Sequence, residues 1–195
     1  MMSVSTAVFK RVQRFPKGVP FPSERLSGLG SPNAVRKALS FLVKKGRLRR
    51  LLPGVYQRPC FHPVIGEILP AAESVVKAIA LARGEQLQIH GAEALRAFRL
   101  STQMQMVATY YTNRSTREIR VGNSRVRLIH APRSLLQHFG TTVGIAVSAL
   151  YYLKDQEANR ASLDAITSRL SSSDLEKLKL CHLPDWAAKM IIQCE

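Results

Sequence analysis

Residues 31–46 read SPNAVRKALSFLVKKG and carry the clearest local signal in the chain. Ser31 is a preferred residue for capping the amino end of a helix, and Pro32 at the first helical position loses no hydrogen bond. Gly46 suits the cap at the carboxyl end. Apolar side chains recur at helical spacing along one side, at Val35, Ala38, Leu39, Leu42 and Val43. The pattern predicts an amphipathic helix that packs this side against a core.

The other side of this predicted helix is polar and largely cationic. It carries Asn33, Arg36, Lys37, Ser40 and Lys44. Such side chains can hydrogen-bond base edges and phosphates, and an α-helix fits the major groove of duplex DNA. The amino end at Ser31 also presents backbone N–H groups that suit a phosphate. We therefore predict that these side chains contact bases, except Lys44, which is predicted to hold a phosphate.

Two further helical segments precede this helix. Residues 4–15 place apolar side chains at helical spacing, and the Pro16-Lys17-Gly18 run ends the segment. Residues 20–22 predict an extended stretch, and Ser23 can cap a short second helix over residues 23–26.

A basic ribbon is predicted on the carboxyl-terminal side. Residues 47–52 and 55–58 flank Pro53-Gly54, which is a turn signal between two short strands. Helices followed by such a ribbon form the winged helix-turn-helix arrangement. We predict that Arg47, Arg49 and Arg50 hold phosphates, with Arg49 and Arg50 reaching a neighbouring minor groove or its phosphates.

The charge of this end points to the same partner. The first 62 residues hold 13 Lys and Arg against the single acid Glu24, in a chain with a net charge of +16. A surface that serves solubility alone would mix both signs, whereas a folded basic module commonly lies against a polyphosphate backbone. Duplex DNA is therefore the predicted partner; RNA and a merely solvated helix face are the alternatives.

Several short runs in this region resemble one family. They are Phe15-Pro16-Lys17-Gly18, Pro20-Phe21, Ser31-Pro32, Leu42-Val43-Lys44-Lys45-Gly46 and Leu52-Pro53-Gly54-Val55-Tyr56. Together they resemble the winged-helix region of AbiEi-like antitoxins of type IV toxin–antitoxin and abortive-infection operons. The resemblance implies a repressor of its own operon that counteracts a nucleotidyltransferase toxin. Pro53 departs from the family pattern, in which a basic or small residue is common before Gly-Val-Tyr.

The remainder predicts an α+β domain, so the expected division is residues 1–60 and 61–195. Residues 59–70 hold several prolines and predict a linker or extended crossing. A small mixed sheet with intervening helices follows, and a helical tail begins after Pro132. The run at residues 90–95 and the strand that follows also resemble the AbiEi-like family.

An Arg-rich hairpin is predicted over residues 117–129, with Gly122-Asn123-Ser124 as its turn. Its charged side chains include Arg117, Arg120, Arg125 and Arg127. Three interpretations stay open: an auxiliary nucleic-acid contact, a site for an acidic partner or an RNA shared with the toxin, and a solvated sheet face.

No catalytic, metal or cofactor site is predicted. Nucleotide-binding glycine loops and hydrolase motifs are lacking, and Cys60, Cys181 and Cys194 have neither zinc-site nor disulfide spacing. His90 is the main candidate for a third possibility, an RNA-directed enzyme, but a lone histidine is usually structural.

The sequence therefore predicts a cytoplasmic DNA-binding autorepressor and antitoxin, with a cognate toxin as a second partner. The alternative is an interaction module that restrains a partner enzyme, with DNA binding incidental. A palindromic operator would need two copies of the head, so a homodimer on DNA is one arrangement; the oligomeric state stays open.

Overall fold

The computed structural model describes residues 3–153 and 158–192, so Cys194 lies outside the described residues. The chain forms two compact units: residues 1–84 with 120–125, and residues 85–119 with 126–195. The first unit thus extends beyond the boundary predicted at residue 60. No helix within the described ranges is both long and apolar enough to cross a membrane.

Three helical segments build the core of the first unit. Helix α1 spans Val4–Gln13, a 3-10 turn spans Ser23–Leu26, and helix α2 spans Pro32–Lys44. Helix α1 ends before the predicted residue 15. The buried side chains of this core, which come from these segments and the residues between them, include Val8, Val12, Phe15, Phe21, Leu26, Leu39 and Leu42.

A three-stranded antiparallel sheet completes this core. Strand β1 covers Pro20–Pro22, β2 covers Arg49–Leu52 and β3 covers Val55–Gln57, in the order β1-β3-β2. The stretch predicted as merely extended is therefore a strand that pairs with β3. Gly54 closes the β2–β3 turn with a φ of +80°, a conformation that favours glycine, and its carbonyl accepts a hydrogen bond from Ser23 N at 2.8 Å.

The predicted linker at residues 59–70 contains a second, smaller hairpin. Strand β4 covers Phe61–His62 and pairs with strand β5 at Gly66–Glu67. Helix α3, Ala72–Ala82, follows and packs against β1. The linker prediction was therefore wrong for the hairpin, whose strands are too short to give an alternating pattern.

A four-stranded mixed sheet follows, and most of its residues belong to the second unit. Strands β6 (Leu87–Ile89), β7 (Ala108–Thr112), β8 (Arg117–Val121) and β9 (Ser124–His130) lie in the order β6-β7-β9-β8. Strand β6 is antiparallel to β7, whereas β7 and β9 are parallel. Helix α4, Gly91–Ala97, joins β6 to β7. The predicted hairpin over residues 117–129 is confirmed as β8 and β9.

The predicted helical tail is also confirmed. A 3-10 turn at Arg133–Leu136 leads to α5 (Thr142–Tyr152), α6 (Arg160–Thr167), α7 (Ser172–Lys179) and α8 (Asp185–Ile192). Helix α5 is buried on nearly all sides, and it packs mainly against α4 and α7. The fold is thus a mixed α+β fold.

Candidate nucleic-acid interface

The polar side of α2 faces solvent. Its exposed side chains are the five predicted to meet DNA: Asn33, Arg36, Lys37, Ser40 and Lys44. They fall within about 100° of the helix circumference, opposite the buried stripe that includes Leu39 and Leu42. The sequence pattern therefore placed all five on one accessible face.

The amino end of α2 is capped as predicted. Ser31 Oγ accepts a hydrogen bond from Ala34 N at 3.3 Å, and Pro32 follows at the start of the helix. The Ser31 hydroxyl therefore has a structural role of its own. Since Pro32 has no N–H, this end offers one backbone donor fewer to a phosphate than another helix start would.

Arg36 and Asn33 are coupled to each other. Arg36 Nη2 donates to Asn33 Oδ1 at 2.6 Å, one helical turn away. The bond holds the guanidinium along the exposed face and leaves its remaining N–H groups for other acceptors. Sequence reasoning treated the two side chains as independent, but the structure makes Asn33 a positioner of Arg36.

A groove of about 550 Å³ lies between the first half of α2 and the β2–β3 ribbon. Arg36 from the helix and Arg50 from the ribbon both line it, together with Tyr56 and the turn glycine Gly54. Glu24 of the 3-10 turn lines it as well, so the single acid among the first 62 residues lies beside two of the predicted DNA contacts. Sequence reasoning did not place Glu24, because its neighbours in this groove are far along the chain.

The other predicted phosphate contacts divide between different surroundings. Arg47 lines a separate groove of about 460 Å³ with Phe41 and Lys45, where α1 meets α2. Arg49 forms an ion pair with Glu67 of β5. Of the three ribbon arginines, Arg50 is therefore the one that the structure brings to the groove beside α2.

Two more cations of the basic end contact groups of the protein itself. Arg58 Nη1 donates to the carbonyl oxygens of Gln13 and Phe15, both at 2.7 Å, and so caps the end of α1. The Arg25 guanidinium lies 4.6 Å from the centre of the Phe15 ring. The raw count of cations thus overstates the charge available to a ligand.

Arg117 also has a partner within the protein. Its Nη2 donates to both carboxylate oxygens of Glu85, at 2.7 and 2.6 Å, and the Thr112 hydroxyl donates to the same carboxylate at 2.6 Å. The Glu85 side chain is fully buried. Arg120, Arg125 and Arg127 are exposed on the hairpin, so the structure separates Arg117 from the other three predicted auxiliary contacts.

His90 has a structural role at the start of α4. Its Nδ1 accepts from Ala92 N at 3.3 Å and lies 3.0 Å from Gln105 Nε2, and its ring lies 4.9 Å from that of Tyr111. Burial, with a smaller contribution from the positive charge of Arg127, lowers the pKa of His90 below its usual value. The imidazole is therefore neutral near pH 7. Within the described residues, no group of three or more His, Cys, Asp or Glu is arranged to hold a metal ion.

Comparisons with known proteins give a family but no activity. A family model described as "Family of unknown function (DUF6088)" matches residues 7–178. None of the curated proteins matches the chain. Among solved structures, the RV2827C protein from Mycobacterium tuberculosis is similar, with 17% identity over 96% of this chain and 74% of that chain and a TM-score of 0.43.

Proposed function

The chain belongs to the DUF6088 family, and on the surface of its first unit we propose that it is a DNA-binding transcriptional autorepressor and antitoxin. It acts in the bacterial cytoplasm on the operator of its own toxin–antitoxin operon and counteracts a nucleotidyltransferase-type toxin. The duplex-binding part of this proposal is argued from the geometry of the first unit. The antitoxin part is carried by the resemblance of residues 15–18, 20–21, 31–32, 42–46 and 52–56 to AbiEi-like antitoxins.

One observation carries the DNA-binding part. Arg36, on the exposed polar face of α2, and Arg50 of the ribbon line the same groove. The order α1, β1, 3-10 turn, α2 and β2–β3 supports a winged helix-turn-helix in which α2 enters the major groove and the ribbon lies alongside. A cationic helix with a cation beside it matches duplex DNA, because phosphates line both sides of the major groove.

The side chains then divide by role. Arg36, held by Asn33, has the planar donor geometry that recognises guanine O6 and N7, and Ser40 and Lys37 extend the reading face. Lys44 and Arg50 hold phosphates, which fixes the register without reading sequence. Glu24 in the groove repels a phosphate there and accepts from a cytosine amino group, so it favours a base edge over the backbone at that point.

The test is a binding titration of the full chain on the DNA upstream of its own gene. Fluorescence anisotropy at several salt concentrations compares this duplex with a shuffled duplex of equal length and composition. We expect the upstream duplex to bind about 10³-fold or more tightly than the shuffled one near physiological salt. Equal, weak binding to both would defeat the repressor proposal.

The antitoxin part needs a separate test. The gene beside this one in the operon is expressed with the full chain or with the Arg36→Ala, Arg50→Ala double variant. In AbiEi-like antitoxins the part of the chain after the winged helix counteracts the toxin, and by this resemblance we assign the toxin-directed role to the second unit. We therefore expect both proteins to relieve growth inhibition when each is produced from an unrelated promoter. No relief by either protein contradicts the antitoxin proposal and leaves the DNA-binding proposal standing.

A further inference from the structure

The β4–β5 hairpin exposes an unusual amount of apolar surface. Five large apolar side chains within nine residues are exposed: Phe61 (70%), Val64 (85%), Ile65 (71%), Ile68 (38%) and Leu69 (47%). Single exposed apolar residues are ordinary, but five of them on one short hairpin indicate an interaction site. We propose that this hairpin is the contact through which two copies of the chain associate.

The hairpin is a formed element rather than a loose loop. Phe61 pairs with Glu67 and His62 with Gly66 across the two strands. Ile68 N donates to Cys60 O at 2.8 Å, and Val64 N donates to His62 Nδ1 at 3.2 Å within the turn. The backbone that carries the apolar side chains is therefore held by hydrogen bonds, which lowers the entropy lost when a partner binds.

The charge distribution favours a second copy of the chain as the partner of this hairpin. Residues 59–76 contain no Lys or Arg, in a chain that has 29 of them. Two cationic copies repel one another across most of the first unit, but they can approach through this segment. The one acid in the hairpin, Glu67, is already neutralised by Arg49. Nucleic acid is a poor occupant, because the patch offers no cation to a phosphate.

The strand edges of the hairpin allow a two-fold symmetric contact between two copies. The hairpin is a sheet of two strands, so each strand has one edge that pairs with no other strand of the described chain. The edge of β4, Phe61–His62, carries no Lys, Arg, Asp or Glu, and such an edge is a template for pairing with another strand. Antiparallel pairing of two identical edges creates a two-fold axis, and an isologous contact of this kind closes as a dimer.

The hairpin is linked to the DNA-binding ribbon, so a dimer formed there would pair two DNA-binding heads. This step of the inference rests on the proposed function. The Arg49–Glu67 ion pair joins β5 to the ribbon strand β2. A two-fold contact at the hairpin therefore couples two ribbons and two copies of α2 in fixed relation. Binding to a two-fold symmetric operator needs two such heads one helical turn apart or a multiple of it.

The experiment measures the mass of the full chain without DNA, by sedimentation equilibrium between 1 and 100 µM in 0.5 M NaCl. High salt screens the repulsion between copies and does not weaken apolar contacts. We expect a dimer of two 21.7 kDa chains in the wild type. Ile65→Asp should weaken association by about 100-fold, since each substitution occurs twice in a symmetric contact.

Leu180→Asp is the matched control, because Leu180 is 88% exposed but lies at the end of α7 in the second unit. It should leave the dimer intact. Circular dichroism and the thermal midpoint of Ile65→Asp check its folding, and Val64→Asp provides a second variant if the first is destabilised. A wild type that stays monomeric at 100 µM, or a dimer that survives both hairpin variants, overturns the inference.

DNA binding by the same proteins separates this inference from the proposed function. A monomeric wild type that still prefers its upstream duplex defeats the dimer contact alone. A hairpin-dependent dimer with no preference among duplexes defeats the repressor proposal alone. If the chain is monomeric and the hairpin variants instead lose binding to the purified product of the adjacent operon gene, the patch belongs to the toxin and the inference is wrong.

Discussion

Replacing Arg117 with alanine should destabilise the second unit strongly. The substitution leaves the buried carboxylate of Glu85 without its cation, and the Thr112 hydroxyl would remain as a donor at 2.6 Å. Removing one partner of a buried ion pair costs about 3–5 kcal/mol. Because 23% of the Arg117 side chain is exposed, water can enter the vacated space, and we expect the lower end of that range. A loss of this size lowers the thermal midpoint by roughly 6–12 °C in a protein of this length.

The fluorescence of Trp186, the single tryptophan of the chain, reports this loss because Trp186 packs against the core of the second unit. Urea unfolding followed at Trp186 should shift to lower denaturant for Arg117→Ala. For Arg127→Ala, which replaces an exposed arginine on the same hairpin, the free energy of unfolding should change by no more than about 0.5 kcal/mol. Adding Glu85→Gln to Arg117→Ala removes the stranded charge and should restore part of the stability.

The result that would refute the reasoning is specific. If Arg117→Ala unfolds at the same urea concentration as the wild type but flattens the salt dependence of DNA binding, Arg117 contacts nucleic acid and the internal ion pair is not its main role. If Arg127→Ala is the variant that loses stability, the assignment of the two arginines is reversed.

Three further predictions follow from individual side chains. Arg36→Ala should cost about 1–3 kcal/mol of binding free energy at the cognate duplex and little at a shuffled one. Arg36→Lys should not restore recognition, because lysine lacks the forked donors of arginine. Anisotropy titrations on both duplexes decide this. Arg50→Ala should weaken binding to all duplexes alike and flatten the slope of log K against log salt by about 0.9. Glu67→Gln, which frees Arg49, should steepen this slope by a similar amount. An unchanged slope in both variants would contradict the phosphate roles. The pKa of His90 in the folded protein is below its unfolded value of about 6.5, so the unfolded chain binds more protons and the free energy of unfolding falls as the pH drops below about 6.5. His90→Asn keeps a capping side chain and should remove part of this loss of stability in acid. Urea unfolding from pH 4.5 to 8 measures the difference.

Local signals account for what the sequence predicted well. Helix α2 has its cap, its first-turn proline and its apolar stripe within 16 consecutive residues, so its bounds and its two faces follow from neighbours in sequence. The β8–β9 hairpin is predictable for the same reason, because its turn and alternating strands are contiguous. Helix α8, Asp185–Ile192, begins and ends where predicted, behind the Leu183-Pro184 start signal.

Partners that are distant in sequence account for what the prediction missed. Strand β1 contains two prolines, which argue against a strand, yet it pairs with β3 more than 30 residues later as an edge strand. The cations show the same limit: Arg49 finds Glu67 18 residues away, Arg117 finds Glu85 32 residues away, and Arg58 finds Gln13 45 residues away. Composition counts charges, but tertiary contacts decide which of them remain for a ligand.

Acylation of lysines in the full chain, followed by mass spectrometry with and without saturating upstream duplex, tests the central claim most directly. The account predicts that DNA slows the reaction of Lys37 and Lys44, on the exposed face of α2, at least several-fold. Lys189, which is exposed on α8 in the second unit, should react at the same rate in both samples. Unchanged reactivity of Lys37 and Lys44 at saturation, or protection confined to Lys189, would contradict the account.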